Sequence, residues 1–374
     1  MSTYLIAPDS FKGSLDASKF CEIATQVIQG IEPDAVVFSR PMSDGGEGFI
    51  DSFVCAGAGQ AKSAWVSGPL GKKTKASFAW QEESQTAIIE MAQASGITKI
   101  RKEELNPLST HTYGTGQLIQ EAINLGAKKI ILGLGGSATN DGGAGALMAL
   151  GVPMLDSKGQ AINLGGQALK DLSTIGEIPD HLLKIDWQIA CDVTNPLLGE
   201  SGATAIFGPQ KGGQPHQLAV LENALTNYAQ VLESHAKTAI HLEPGAGAAG
   251  GMAAGFMGLL NATLVPGFDV INETLQLEEL IKTQAFDYII TGEGRFDNQT
   301  RFGKLPLRIA QLGHQFNIPT IGICGSLTCS VEDLPEFKAI FSIVNKVMDE
   351  REAMSNADYL LQQTLLSVVP LLGK

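Results

Sequence analysis

Lys128 to Gly151 reads KKIILGLGGSATNDGGAGALMALG, and the order of its parts decides the fold class. Lys128 to Leu134 (KKIILGL) is a short apolar run of the kind that forms a strand buried on both faces. Ala144 to Leu150 (AGALMAL) is a helix-like apolar run, so the glycine-dense stretch between them lies where a strand hands over to a helix. Strand, loop and helix in that order form the unit of a parallel sheet with helices on its faces, and such sheets gather ligands at their carboxyl-end loops. Successive glycines can turn several N–H groups into one concavity, and a helix start adds free donors. The loop can therefore seat an anion, with Gly135, Gly136, Gly142 and Gly143 supplying amides and Ser137, Thr139 and Asn140 adding hydroxyl and amide groups. A tight turn that needs glycine only for close packing is the plainer alternative. Asp141 either faces a metal or caps the helix.

The same rhythm marks both ends of the chain. Tyr4 to Ala7 reads as a strand, Leu15 to Ile31 as a helix, Ala35 to Phe38 as a strand and Gly46 to Cys55 as a helix. Near the C-terminus come strand Asp287 to Thr291, a helix over Leu305 to Phe316, strands Thr320 to Cys324 and Ala339 to Val344, and a last helix from Asn356 to about Leu371. Between the two ends, Ser63 to Trp80 alternates apolar and polar residues as antiparallel strands do. A chain of 374 residues also exceeds what one hydrophobic core usually organises. The expected fold is α/β with two domains. One is a Rossmann-like parallel-sheet domain built from both chain ends, residues 1–62 and 284–374, and the other is an inserted mixed α/β domain over 63–283.

Composition narrows the partners. A net charge of −13 opposes a phosphate-backbone partner, because nucleic-acid affinity comes largely from Lys and Arg. Any anionic ligand has to be held locally, by backbone amides and a few placed cations. The five cysteines are scattered, without C-x-x-C pairs or histidines at metal-ligand spacing, as in a reduced protein. The N-terminus lacks the basic and apolar regions of a signal peptide, and no run approaches ~18 apolar residues, so no membrane partner is expected and the compartment reads as cytoplasmic.

The Walker pattern G-x-x-x-x-G-K-[ST] is absent, as is the protein-kinase signature set. Gly245 to Gly250 matches G-x-G-x-x-G with Asp269 nineteen positions further on, but Glu243 and Pro244 interrupt any preceding strand. Gly247 and Gly250 then read as part of a second amide-donating loop at a helix start, rather than as a dinucleotide fingerprint.

Four further stretches set carboxylates among glycines or turn formers: Asp9 to Ser14, Ser43 to Gly48, Cys191 to Pro196 and Thr291 to Asp297. In a parallel sheet Asp9, Asp192 and Glu293 fall at strand carboxyl ends. Singly, each residue reads as a cap or a turn. Together they offer what a magnesium–nucleotide site needs, oxygen ligands for the ion and donors for phosphates. Lys12, Lys211, Arg295 and Lys304 are the cations within glycine loops, and of these Lys211 is expected on the solvated surface more than Lys12.

Taken in order, DSFKGSL at Asp9, PMSDGGEG at Pro41, GGSATNDGGAG at Gly135, CDVTNPLLG at Cys191, FGPQKGG at Phe207, PGAGAAGG at Pro244 and TGEGRFDNQT at Thr291 with Gly303-Lys304 resemble the motifs of the bacterial glycerate kinase family, type I. The resemblance implies two α/β domains with the active site in the cleft between them. It also implies ATP-dependent, Mg²⁺-assisted phosphorylation of D-glycerate, at the 2-hydroxyl rather than the 3-hydroxyl. On this expectation Asp192 accepts the hydroxyl proton, and Lys12 and Arg295 meet the substrate carboxylate or phosphoryl oxygens. Asp9, Ser10, Asp44 and Asn195 bind substrate, Asp44, Glu293 and Asp297 reach the ion, and the Gly135–Gly143 and Gly245–Gly251 loops bind phosphate. The alternatives are a kinase giving 3-phosphoglycerate or acting on a related hydroxy acid, and a nucleotide-binding sensor without catalysis.

Overall fold

The computed structural model describes residues 1–43, 45–298 and 300–372. In chain order its strands are β1 (Thr3–Ile6), β2 (Val36–Ser39), β3 (Gln60–Ser67), β4 (Lys73–Gln81), β5 (Thr86–Glu90), β6 (Lys129–Gly133), β7 (Met154–Leu155), β8 (Thr174–Ile175), β9 (Asp186–Ala190), β10 (Thr263–Val265), β11 (Tyr288–Phe296), β12 (Thr320–Leu327) and β13 (Ala339–Ser342). They are divided between two compact units, one of Met1–Asp44, Asp51–Ala58 and Phe268–Lys374, the other of Gly45–Ile50 and Gly59–Gly267. Among the described residues no helix is long and apolar enough to cross a membrane.

The first unit is built on a wholly parallel sheet in the order β13-β12-β11-β1-β2. β1 leads through the Ala17–Ile31 helix to β2 on one side, whereas β11 leads through the Leu305–Gln315 helix to β12 on the other. Right-handed crossovers that run in opposite directions must lay their helices on opposite faces. The side chains follow that rule. Ile321 and Ile323 of β12 pack with Phe20, Ala24 and Ile28 of the first helix and with Leu361 and Leu365 of the Ala357–Leu372 helix. Cys324 points the other way, into a cluster with Phe296, Leu307, Ala310 and Phe337. The period of two along β12 thus assigns one apolar set to each face.

β11 is longer than its apolar run. The sequence places its end at Thr291, before the glycines, but pairing with β12 continues to Phe296 opposite Leu327. Glycine is what permits it: a side chain at Gly292 would collide with the carbonyl oxygen of Ile323. Here glycine marks close approach within a ladder rather than the end of one.

The second unit carries a mixed sheet, β10-β9-β6-β5-β4-β3. β3, β4 and β5 are antiparallel neighbours, as the alternation over Ser63–Trp80 requires, and β5, β6, β9 and β10 run parallel. Glu90, Gly133, Ala190 and Val265 stand side by side in the register, so the loops that follow these strands leave from one edge. The Tyr113–Asn124 and Ala248–Leu260 helices contribute Leu118, Ile119, Met252 and Phe256 to a core that includes Ile130, Leu132 and Trp187.

Two glycines separate packing from entropy. Gly250 has φ +67° and a Cβ there would strike the Thr139 carbonyl, whereas Gly30 lies in the Ala17–Ile31 helix with nothing within 4 Å of the added atom. Gly250→Ala should lower the thermal unfolding midpoint by roughly 5–10 °C, the shift expected of a strained and overpacked site. Gly30→Ala should raise stability by about 0.5–1 kcal/mol in denaturant titration. The reverse ranking would contradict the packing described.

Candidate functional site

In the first unit β1 and β11 are adjacent while their crossovers diverge, and that arrangement leaves a crevice at the strands' carboxyl ends. A cavity of about 650 Å³ lies there. Asp9 and Lys12, from the turn after β1, line it together with Glu293, Arg295 and Asp297 of the β11 end and Lys304 beyond it. Backbone bonds continue the ladder into the site: Asp9 N–H donates to the Gly292 carbonyl at 2.8 Å, and the Thr291 hydroxyl donates to the Ala7 carbonyl at 2.7 Å. The buried Asp9 carboxylate accepts the Ser10 N–H at 2.7 Å, which fixes the start of the turn.

The charges in this cavity interlock. Lys304 Nζ lies 3.5 Å from both Glu293 Oε2 and Asp297 Oδ1. The Thr300 hydroxyl donates to Glu293 Oε1 at 3.2 Å, and Arg295 Nε donates to Ser326 Oγ at 3.3 Å. Burial raises the Glu293 carboxyl above its ordinary range, opposed by Lys304, Thr300 and Lys12. Among the described residues no group of three or more His, Cys, Asp or Glu is arranged to hold a metal ion. Glu293 and Asp297 form a pair about one ammonium, which suits an ion that takes few protein ligands and completes its shell with phosphate oxygens and water. Asp44 lies outside the described residues.

In the second unit the glycine loop follows β6 and is drawn inward. Gly135 N–H donates to the Gly45 carbonyl at 3.0 Å, Ala138 N–H to Ser95, and Gly142 N–H to Gly250 at 3.0 Å. Asp141, 1% exposed, accepts the Thr112 N–H and hydroxyl at 2.8 and 2.9 Å and the N–H groups of Gly143 and Gly145 at 3.3 Å. It therefore ties the helix start to a neighbouring turn. Thr139 and Asn140 are fully buried, and the Asn140 side chain donates to Thr204 Oγ1. Gly142 has φ +63°, and a Cβ there would fall 2.5 Å from the Tyr228 ring. Gly136 is exposed, Gly135 partly so, and Ser137 closes the outer turn in a bridge to Gly96.

Lys211 departs from its expected place on the surface. It is 1% exposed, and its ammonium donates to the Thr139 carbonyl at 2.6 Å. Burial pushes it down to about 7, with Asp141 pulling the other way. The glycine that follows it packs against another segment of main chain. Gly212, at φ +92°, would set a Cβ 2.6 Å from the Leu105 carbonyl. Glu90, buried at the end of β5 and opposite Gly133, was not among the residues singled out from the sequence; its only mark is a carboxylate closing the apolar run TAIIE.

Asp192 and Asn195 follow β9. Asp192 is exposed, and its Oδ1 accepts the Gly267 N–H at 3.1 Å. The Asn195 side-chain amide donates to the Ser201 carbonyl at 2.8 Å, and the Asn195 backbone carbonyl accepts the Gly247 N–H at 3.0 Å. The Gly245–Gly250 stretch follows a turn rather than a strand, and Ala249, Gly250 and Gly251 are all left-handed. That geometry differs from a dinucleotide fingerprint, in which a strand runs straight into the glycines.

The Lys211 geometry fixes a pH dependence. Its folded-state value lies below the unfolded one of 10.5, so between about pH 7 and 10.5 the unfolded chain binds the extra proton. Stability should therefore rise with pH across that window. Lys211→Met, which fills the site without a charge, should lose this rise when thermal midpoints are compared from pH 7 to 10. Parallel profiles for the two proteins would show that Lys211 titrates normally.

Residues 4–373 match the model of the glycerate kinase family. Glycerate 2-kinase of Escherichia coli K12 is 43% identical over 94% of this chain and 93% of its own length, and a glycerate kinase of Halalkalibacterium halodurans is 42% identical over 98% and 97%. A crystal structure from Salmonella typhimurium LT2 attributed to glycerate kinase 2 superposes with a TM-score of 0.85 at 39% identity, covering 99% of this chain and 98% of that one. With its two α/β units and the motifs that line their strand ends, the chain belongs to the glycerate kinase family.

Proposed function

We propose that this chain transfers the γ-phosphoryl group of ATP to the 2-hydroxyl of D-glycerate in the cytoplasm, giving 2-phosphoglycerate and ADP with Mg²⁺ as the helper ion. The observation that carries the reading is the convergence of Lys12, Arg295 and Lys304 with Asp9, Glu293 and Asp297 on one cavity, in a chain of net charge −13. Phosphoryl transfer asks little covalent chemistry of a protein and much positioning and charge stabilisation. The 43% identity to a glycerate 2-kinase supports the 2-hydroxyl as acceptor.

The residues take the following parts. Asp9, Ser10 and Asn195 orient the acid, with Asp44 assigned to the same set. Lys12 and Arg295 balance its carboxylate and the phosphoryl oxygens. Asp192 takes the hydroxyl proton as the O–P bond forms and the bond to the ADP oxygen breaks. Glu293 and Asp297, with Asp44, hold Mg²⁺, which when bound neutralises charge on phosphate oxygens. Of the glycine loop, Gly135, Gly136 and Ser137 form the outer turn that meets phosphate. Thr139, Asn140, Gly142 and Gly143, with Gly250, keep that turn in shape from inside, in line with their buried contacts, and Gly247 belongs to the second phosphate loop, its N–H on the Asn195 backbone carbonyl.

Phosphorus NMR of the products from D-glycerate, ATP and Mg²⁺ should give the 2-phosphoglycerate resonance and ADP. The 3-phospho isomer would overturn the regiochemistry, and ADP release independent of the acid would overturn the acceptor. Asp192→Asn should lower kcat by about 10²–10⁴ while leaving nucleotide affinity unchanged. Near-normal turnover would remove Asp192 as the base.

A further inference from the structure

The cavity of the first unit is larger and less polar than a three-carbon acid requires. Its volume of about 650 Å³ falls among pockets that enclose drug-sized ligands, ~300–1,000 Å³. Its lining is divided. The β1 and β11 ends supply the cations Lys12 and Arg295, whereas the wall after β13 presents Ile343, Val344, Met348, Ala353 and Met354 beside two carboxylates. Ile343 is buried, but Val344 and Met354 remain 36% and 39% exposed. Met354 reaches towards the turn after β1, its Cε 3.1 Å from where a Cβ on Gly13 would sit. D-Glycerate has no group that profits from such a wall.

We infer that this apolar wall is the seat of the nucleotide's base, an inference that rests on the kinase reading above. A purine is flat and largely apolar on its faces, and thioether and branched aliphatic side chains are suited to cover it. Asp349 and Glu350 line the same wall and offer carboxylate acceptors of the kind that receive ribose hydroxyls. Asp349 is held in place there, because its Oδ1 caps the Glu350–Ser355 helix by accepting the Glu352 N–H at 2.7 Å. The phosphates then extend from the wall towards Lys12, Arg295 and Lys304. The placement agrees with the topology, since doubly wound sheets hold nucleotides where their crossovers diverge.

Titration of the full-length protein with the fluorescent nucleotide mant-ADP tests the inference without recourse to turnover. Val344→Glu and Met354→Glu should each weaken mant-ADP binding by about tenfold or more, because they place a charge against the base. Met354→Leu, which keeps volume and polarity, should stay within about threefold of the parent protein. Tripolyphosphate affinity, read by calorimetry, should be unchanged in all three, since the charged side of the cavity is untouched. Unaltered mant-ADP binding in both glutamate variants would overturn the inference. So would a parallel loss of tripolyphosphate binding, which signals collapse of the whole cavity. The two readings fail separately: absence of D-glycerate-dependent ADP release alongside the expected mant-ADP pattern removes the acid and leaves the base seat, whereas normal turnover with unaltered mant-ADP binding does the opposite.

Discussion

The parallel pairing of β1 with β11 is the constraint on which the first unit depends. Tyr4 pairs with Tyr288 and stacks on it at 5.7 Å, so the two ends of the chain meet across 284 residues. Such a contact carries the closure entropy of the long chain between its partners. Once closed, it aligns two turns that are remote in sequence. The Asp9 N–H and the Thr291 hydroxyl extend the ladder past the last paired residues, and that extension brings the Asp9–Ser14 turn beside Glu293. The site is thus a by-product of sheet register: a one-residue slip would carry alternate side chains to the opposite face.

The second unit answers why a chain would give up so much backbone order in one place. Its glycines let the main chain of the loop touch other main chain. Gly135 abuts Gly46, Gly143 abuts Met252, and Gly250 abuts Thr139. Each substitution by a larger residue would push segments apart, so the entropy cost of glycine is offset by dense packing. Polar groups in that packed region need partners, and Asp141 satisfies four donors with one carboxylate. Lys211 adds a buried ammonium against the Thr139 carbonyl, and burial disfavours its charge.

Much of this was legible in the sequence. Strand and helix periodicity located the elements of both ends to within a few residues, since each buries one set of side chains and its pattern is correspondingly regular. The alternation over Ser63–Trp80 revealed the antiparallel half of the second sheet for the same reason. Three features were not legible. The extension of β11 through Gly292 was hidden because glycine punctuates turns and also permits close ladders, and only the neighbouring strand decides between them. Lys211 reads as solvated because lysines are rarely buried, and its partners lie 72 residues away at Thr139 and near Asp141. The Gly142 and Gly143 amides turn to the Gly250 carbonyl and the Asp141 carboxylate, and no local pattern marks those acceptors.

If the carboxyl edge of β1 and β11 is where the reactants gather, ligand binding must slow local opening of its main chain. Hydrogen–deuterium exchange of the full chain, with and without D-glycerate, Mg²⁺ and a non-hydrolysable ATP analogue, tests this most directly. The account predicts slowed exchange in peptides covering residues 9–14, 293–298 and 343–354. Saturating ligands that leave all three at their unliganded rates would contradict it.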